Sequence, residues 1–227
     1  MMADVDVKID RKIGSFFLDS MKNAKERLWI MSPWLSPEYA RLAIEKKKQG
    51  LNVKVITSNN YVRGHKEALQ ELTEVRKEVK KPENRKLRII GIILIPIGVI
   101  IAIFTAGIGL ILSVVGIILY FIGRGKALIY WISKIGEENL LVYNYIPAHP
   151  VHAKVYIIDD LVVVGSVNLT KIGLQRSVES VALIKSGELA SDLSKILSEL
   201  DKTIRLKRIP NYEVGKEVRA KHPSRRF

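Results

Sequence analysis

The 227-residue chain has no cysteine. That excludes a disulfide-stapled secreted scaffold, and metal sites or catalysis built on thiolates. Residues 1–28 are charged throughout and lack an apolar core, which excludes a secretory signal there. The largest absence lies mid-chain: from Ile89 to Ile122, 34 residues pass without one Asp, Glu, Lys, Arg, His, Asn or Gln. The other 193 residues therefore carry the whole formal charge of +14. A composition of 48% hydrophobic and 26% charged residues excludes disorder, collagen and a coiled coil. It is also an average over two kinds of sequence, an apolar segment and a basic domain with a core of its own.

At 34 residues the apolar segment is long for one membrane crossing, which takes about 20 residues. Two helices of about 16 residues, turning near Thr105-Ala106-Gly107, would each span about 24 Å, short for a hydrocarbon core of about 30 Å. Lys80, Lys81, Arg85, Lys86 and Arg88 precede the segment, and Arg124 and Lys126 follow it. Positive charge at both ends places both on the cytoplasmic side and makes the number of crossings even. Gly91, Gly98, Gly107, Gly109, Gly116 and Ser113 would let two arms approach closely, and Pro96 can kink the first. The expectation is a transmembrane helical hairpin over residues 89–122 in a cell-membrane protein, with both termini and the remaining domain cytoplasmic.

The polar sequence alternates helical and strand patterns. Helices are expected over residues 9–25, 38–49 (stopped by Gly50), 62–79, 126–135 and 188–202; strands over 27–31, 51–57, 140–145, 151–158, 161–167 and 178–184. This implies an α/β sandwich on a mixed sheet. Strands before residue 60 and after residue 140 would share that sheet, so a single crossing would divide it between two sides of the membrane; a hairpin keeps it whole. The expected organisation is residues 1–88 and 123–202 as the two parts of one domain, 89–122 as the hairpin and 203–227 as a basic tail. From Lys202 onward that tail holds nine basic and two acidic residues, a charge of +7.

The chemistry concentrates in His152-Ala153-Lys154-Val155-Tyr156-Ile157-Ile158-Asp159, which fits H-x-K-x4-D, followed by Gly165-Ser166-Val167-Asn168 and by Glu179. On a strand, His152 and Lys154 leave the same face. A three-residue loop at Asp159, Asp160 and Leu161 would pair Lys154 with Ser166 and His152 with Asn168 on that face. A two-residue loop would turn Ser166 and Asn168 away, so the site requires an odd loop or a bulge. Imidazole, ammonium, hydroxyl and carboxamide around one point suit a phosphodiester: cation and donors neutralise its oxygens while imidazole attacks phosphorus or moves protons. Glu179 is positioned by this reading to accept from the second imidazole nitrogen. Asp159 reads as a turn residue or a proton donor, and Trp34 as core or a stacking wall. His149, between Ala148 and Pro150, reads as a loop residue. No carboxylate or His cluster suggests a catalytic metal.

These 17 residues, with Ile30-Met31-Ser32-Pro33-Trp34 and Val53-Lys54-Val55-Ile56-Thr57, make the sequence resemble the phospholipase D superfamily over nearly everything but the apolar segment and the tail. Ser177 departs from the pattern, since many relatives carry Asn two positions before the Glu. The resemblance implies a phospholipase D-like mixed-sheet α/β sandwich and a metal-independent, cofactor-free phosphodiesterase working through a phosphohistidine. It makes His152, Lys154, Asn168, Glu179 and Asp159 the catalytic candidates and Ser166, Gly165 and Trp34 the substrate-binding ones. The superfamily's reaction uses two copies of the motif. Here a second is missing, because His65 is followed directly by Lys66 and His222 by Pro223. A homodimer that completes the active site is therefore implied, as in single-motif members, most of which are endonucleases. The substrate expected first is nucleic acid; a phospholipid hydrolase or transphosphatidylase that also meets anionic phospholipid is the alternative, and a non-catalytic membrane adaptor the third.

Overall fold

A computed structural model describes residues 4–105, 107–148, 151–203 and 207–220. In chain order they form β1 (Asp4–Asp10), a 3-10 turn (Ile13–Phe16), α1 (Leu18–Asn23), β2 (Arg27–Met31), α2 (Pro37–Lys48), β3 (Asn52–Ser58), α3 (His65–Leu72) and β4 (Thr73–Lys81). Then follow α4 (Arg85–Phe104), α5 (Leu110–Gly123), β5 (Lys126–Ser133), β6 (Leu140–Tyr143), β7 (Val155–Ile158), β8 (Leu161–Gly165), α6 (Lys171–Gln175) and β9 (Glu179–Lys185). The chain ends in α7 (Gly187–Ser198), α8 (Leu200–Thr203), β10 (Arg208–Ile209) and α9 (Asn211–Arg219). Contacts divide it into two units, one of residues 76–130 and the other of the chain on either side.

The larger unit is built on an eight-stranded sheet in the order β1-β9-β8-β7-β2-β3-β6-β10. Strands β2, β3 and β6 run parallel, and the other pairings are antiparallel. Both faces of the middle strands are buried, and the period of two sorts their side chains. Leu28, Ile30, Val53, Val55, Leu140, Val142, Tyr156 and Ile158 pack on one face with Ala40 and Ala43 of α2 and Leu69 of α3. Trp29, Met31, Ile56, Leu141, Tyr143 and Ile157 pack on the other with Ala190 and Leu197 of α7. The strand β1 is different. Its Val5, Val7 and Ile9 alternate as in a buried strand yet are 55%, 64% and 73% exposed. This edge of the sheet has an apolar face without a covering layer.

Several local expectations change. The stretch 62–79 is helical only over α3, because Thr73, Val75 and Val79 belong to β4, which pairs with β5 in a separate two-stranded sheet. Residues 126–135 are likewise not a helix: the aromatic and β-branched run Ile129-Tyr130-Trp131-Ile132 prefers the extended form of β5. Residues 9–25 begin in β1 and reach helix only at the 3-10 turn and α1. The expected basic tail is partly core. Val214 and Val218 of α9 are fully buried, and Arg219 donates to the carbonyls of Gln70 and Thr73, each at 2.8 Å, while lying 4.1 Å from the centroid of the Trp131 ring. Apolar residues at a spacing of four gave α9 a buried side that a count of charges conceals.

Residues 76–130 contain a helical hairpin of α4 and α5 joined by residues 105–109, of which Ala106 lies outside the described residues. Its packing is inverted relative to a water-soluble pair. The buried positions of α4 are Gly91 and Gly98, and those of α5 are Ser113, Gly116 and Gly123; the large Ile, Val and Phe side chains point outward. A Cβ on Gly98 would stand 2.4 Å from the backbone nitrogen of Ser113, and one on Gly91 2.5 Å from the carbonyl oxygen of Gly116. Backbones this close leave room for glycine alone. Ser113 Oγ donates to the carbonyl of Ile95 at 2.8 Å, beside Pro96. At the open end the Asn84 N–H donates to Gly123 O at 3.0 Å, so the two ends of the hairpin lie side by side. The apolar part of α4 is about 24 Å long and α5 about 21 Å.

Candidate active site

The residues singled out in the sequence gather at one end of the sheet: after β2, before β7, after β8 and at the start of β9. Turn chemistry fixes this. Ile158 pairs with Leu161, so Asp159 and Asp160 form a two-residue hairpin turn with Asp159 at φ 49°. The expected three-residue loop is absent, and a continued ladder would misdirect Ser166 and Asn168. The ladder stops instead. Strand β7 begins at Val155 rather than at residue 151, and His152 and Lys154 lie in the extended approach to it. On the other side Ser166 follows β8 and stays bonded to β9, its N–H donating to Ser180 O at 3.0 Å. A Cβ on Gly165 would fall 2.1 Å from that same carbonyl oxygen, so this close crossing of β8 over β9 requires glycine.

Lys154 is 5% exposed. Its ammonium donates to His152 O at 2.7 Å and stands 2.9 and 3.0 Å from the two ring nitrogens of His152. Burial lowers the Lys154 pKa, and the nearby charge of Glu179 works against that shift. His152 is exposed. Glu179 does not hold the imidazole, contrary to expectation. Its carboxylate accepts from Ser166 Oγ, which in turn accepts from the Ser180 N–H at 3.1 Å. The expected ring partner is thus bound to its own neighbour across the β8–β9 step.

Two polar atoms at this end are buried without a hydrogen-bond partner, Asn168 Oδ1 and Trp34 Nε1. Their residues precede Leu35 and Leu169, which form a parallel bridge. The pair is held by groups that motif reading did not single out. Ser32 Oγ donates to Trp34 O at 2.7 Å and accepts from the Leu169 N–H at 3.2 Å. Tyr156 donates to Val167 O at 2.6 Å. His65 accepts from the Leu35 N–H at 3.1 Å through Nδ1 and donates to Ser58 O at 2.8 Å through Nε2. A polar residue inside an apolar run was the available sequence signal for Ser32, whereas His65 carried none.

Of the two readings of Asp159, the turn residue holds and the proton donor does not. It sits at the opposite end of β7 from Lys154, five residues or about 17 Å away. Its carboxylate accepts from the N–H groups of Lys25, Glu26 and Arg27 at 3.0, 2.8 and 2.9 Å. Burial would raise its pKa, but these three donors and the Arg27 charge outweigh it and hold the carboxyl below the usual range. Asp159 anchors the entry to β2 and is remote from the chemistry. Among the described residues the Ser177 side chain makes no hydrogen bond to this group, and its N–H donates to Ile172 O at 3.1 Å; His149 lies outside the described residues. Among the described residues no three of His, Asp and Glu stand together as a metal-binding group would.

Residues 117–200, which include His152, Lys154, Ser166, Asn168 and Glu179, match the family model described as cardiolipin synthase, PLD-like domain. A search of curated proteins finds no match. Among solved structures, the chain is similar to Nuc from Salmonella typhimurium, described as a phospholipase D family member, at 15% identity and a TM-score of 0.51, over 92% of this chain and 99% of that one. NucT from Helicobacter pylori aligns at 12% identity and a TM-score of 0.47 over 92% and 99%. Phosphatidylserine synthase of Haemophilus influenzae aligns at 10% and 0.47 over 93% and 41%. The fold is a phospholipase D-like mixed-sheet α/β sandwich, and the matched segment supports kinship with that superfamily of phosphodiesterases and phosphotransferases.

Proposed function

We propose that the chain is a membrane-anchored, metal-independent phosphodiesterase that cleaves nucleic acid as a homodimer through a phosphohistidine on His152. The observation that carries the reading is the pairing of an exposed imidazole with a buried ammonium, next to two buried, unpartnered polar atoms on Asn168 and Trp34. A buried polar atom without a partner costs about 1–3 kcal/mol; a bound phosphodiester oxygen would remove it at Trp34 Nε1, a donor, and an N–H of a base edge would remove it at Asn168 Oδ1, an acceptor. In the first step a ring nitrogen of His152 bonds to phosphorus while the bond to the leaving oxygen breaks. That oxygen takes a proton from His152 of the partner subunit. Water then attacks the phosphohistidine and gives its proton to the same partner imidazole, which restores both rings. Lys154, shared between the imidazole and the reacting phosphate, offsets charge on the phosphoryl oxygens.

The uncovered apolar face of β1 supports the dimer. Val5, Val7 and Ile9 stand opposite Ile184, Ala182 and Ser180 of β9, and Ala182 stands opposite the exposed Val164 of β8. That face adjoins the site, since Val164 precedes Gly165 and Ile9 precedes Asp10, the partner of Glu179. An isologous contact there would bury the stripe and bring two copies of the motif toward one phosphate. Wild type incubated in EDTA with single-stranded DNA, with RNA and with anionic phospholipid vesicles tests the reading. Cleavage of a nucleic acid is the expected result. Release of a lipid headgroup alone, the outcome that the membrane-type hairpin favours, or no reaction at all would overturn it.

The inverted packing of α4 and α5 supports the anchor. Small residues inside and large apolar residues outside suit lipid as solvent, whereas each outward Ile in water forgoes about 1.5–3 kcal/mol of burial. Because the chain lacks cysteine, Lys77→Cys and Lys126→Cys each introduce a single reporter. A membrane-impermeant maleimide is expected to label both in inside-out vesicles and neither in right-side-out ones. Labelling from opposite sides would mean a single crossing and end the hairpin topology.

A further inference from the structure

We propose that a basic cleft between the 3-10 turn, α1 and α6 binds the phosphates next to the one being cleaved, so that the substrate is an extended polynucleotide. The inference rests on the nuclease reading and narrows it to a polymeric substrate. The cleft has a volume of about 480 Å³, and Lys12, Lys22, Arg176, Ser15, Gln175 and Asp19 line it. Lys22 is paired with Asp19 at 3.1 Å, so the local charge is +2 with hydroxyl and carboxamide groups beside it.

The cleft is a continuation of the site. Its α6 wall is bracketed by site residues: Asn168 lies three residues before α6, and Glu179 three residues after Arg176. α6 also folds back on Asn168, since a Cβ on Gly173 would meet the Asn168 carbonyl oxygen at 2.7 Å. The opposite wall is tied to the same place. Asp10 pairs with Glu179 and accepts from the Lys12 N–H at 2.9 Å. The walls touch where a Cβ on Gly14 would lie 3.1 Å from Leu174 Cβ, so packed elements form the cleft in advance. α6 is about 7.5 Å long, about two steps of a nucleic-acid strand at 3.4 Å each. A glycerophospholipid with a simple headgroup has one phosphodiester and cardiolipin has two, so a lipid would leave cations of this cleft unused, whereas a polynucleotide presents another phosphate at every step.

The charge is also local. Residues 76–130 hold nine basic and two acidic residues, and residues 202–227 hold the same numbers. All of the net +14 lies in those two segments, and the rest of the chain is balanced at nineteen of each sign. Three cations against one acid in a cleft beside the site are therefore a departure from a neutral background. Such contacts add affinity without sequence preference, and each adds to the salt dependence of binding.

The test is fluorescence anisotropy of a labelled single-stranded oligonucleotide on full-length protein in detergent, with EDTA, in a His152→Ala background that leaves the probe intact. Adding Lys12→Ala and Arg176→Ala is expected to weaken binding about tenfold at low salt and to reduce the salt slope by about one to two. Adding Lys185→Ala and Lys195→Ala instead, an equal loss of charge at the far end of β9 and on α7, is expected to change it less than twofold. On the His152-containing enzyme the first pair should raise the oligonucleotide KM in parallel while kcat falls less than threefold. Equal weakening by both pairs, or none by the first, overturns the proposal. Because binding is read without turnover, an inactive but oligonucleotide-binding protein would sink the nuclease reading and leave the cleft standing.

Discussion

Replacing His152 by alanine is expected to lower phosphodiester cleavage by about 10⁴-fold or more, about 5.4 kcal/mol of barrier at 1.36 kcal/mol per tenfold. In the proposed mechanism the imidazole supplies both the covalent bond to phosphorus and, in the opposite subunit, the proton for the leaving oxygen. Without it the site retains only charge stabilisation by Lys154 and the polar contacts of Asn168. Lys154→Met keeps the length and apolar stem of the side chain but removes the charge. Its expected effect is smaller, about 10²–10³-fold, the scale of losing one preorganised donor. The His152 side chain is exposed, so His152→Ala should leave the thermal midpoint within a degree or two of wild type, and lost activity then reports chemistry. Shared sites add a signature. When wild type and His152→Ala exchange subunits at equal amounts, about one quarter of the dimers keep both imidazoles, and activity should fall to about a quarter instead of a half. Equal cleavage by His152→Ala and wild type would remove the phosphohistidine mechanism; activity at one half would remove the shared site.

His65→Ala is expected to cost about 3–5 kcal/mol of unfolding free energy, much of a total that is ordinarily about 5–15 kcal/mol. His65 is 2% exposed. Its loss would leave the Leu35 N–H without its acceptor, remove a donor from Ser58 O, and open a cavity beneath the loop that carries Trp34. The same ring sets a pH dependence. Desolvation lowers its pKa, and the hydrogen bonds with Ser58 and Leu35 and the charge of Glu67 only partly offset that. The unfolded chain therefore takes up a proton at a higher pH than the folded one. The contribution of His65 is fully present above the ordinary histidine value of about 6.5, and is lost as pH falls toward the lowered folded value. Urea midpoints of the full chain in detergent, followed by tryptophan fluorescence between pH 8 and 5, should fall with acid in wild type. In His65→Ala they should start lower and fall less steeply. A pH response identical to wild type would take the titration away from His65.

Legibility in the sequence followed the range of the interactions. The H-x-K spacing, Asn168 and the 34-residue apolar run could be read directly, because residue type and short spacings are local properties of the sequence. The alternation of Val53, Val55 and Thr57 or of Leu28 and Ile30 announced buried strands for the same reason. Residues 73–81 misled, since a charged run next to a helix continues its pattern and pairing with β5 makes it a strand; in residues 126–133 the aromatic and β-branched run was a strand signal that the helical reading passed over. Asp159 misled in another way. Its place in the motif suggested chemistry, while its three hydrogen-bond donors come from residues more than 130 positions earlier.

By itself the sequence determined the α/β class, the H-x-K spacing of His152 and Lys154, and the small-residue seam at Gly91, Gly98 and Gly116 that lets two apolar arms pack, because composition and short periodicities decide these. The tertiary structure decided the rest. A two-residue turn at Asp159-Asp160 set the β7–β8 register; at the other end of that hairpin Ser166 bonds Glu179, and Lys154 is buried against an exposed His152. The fold buried α9 in the core, left β1 uncovered, and set Lys12 and Arg176 around one cleft beside the site. Each of these depends on which distant backbone groups find each other, and local residue type does not encode that.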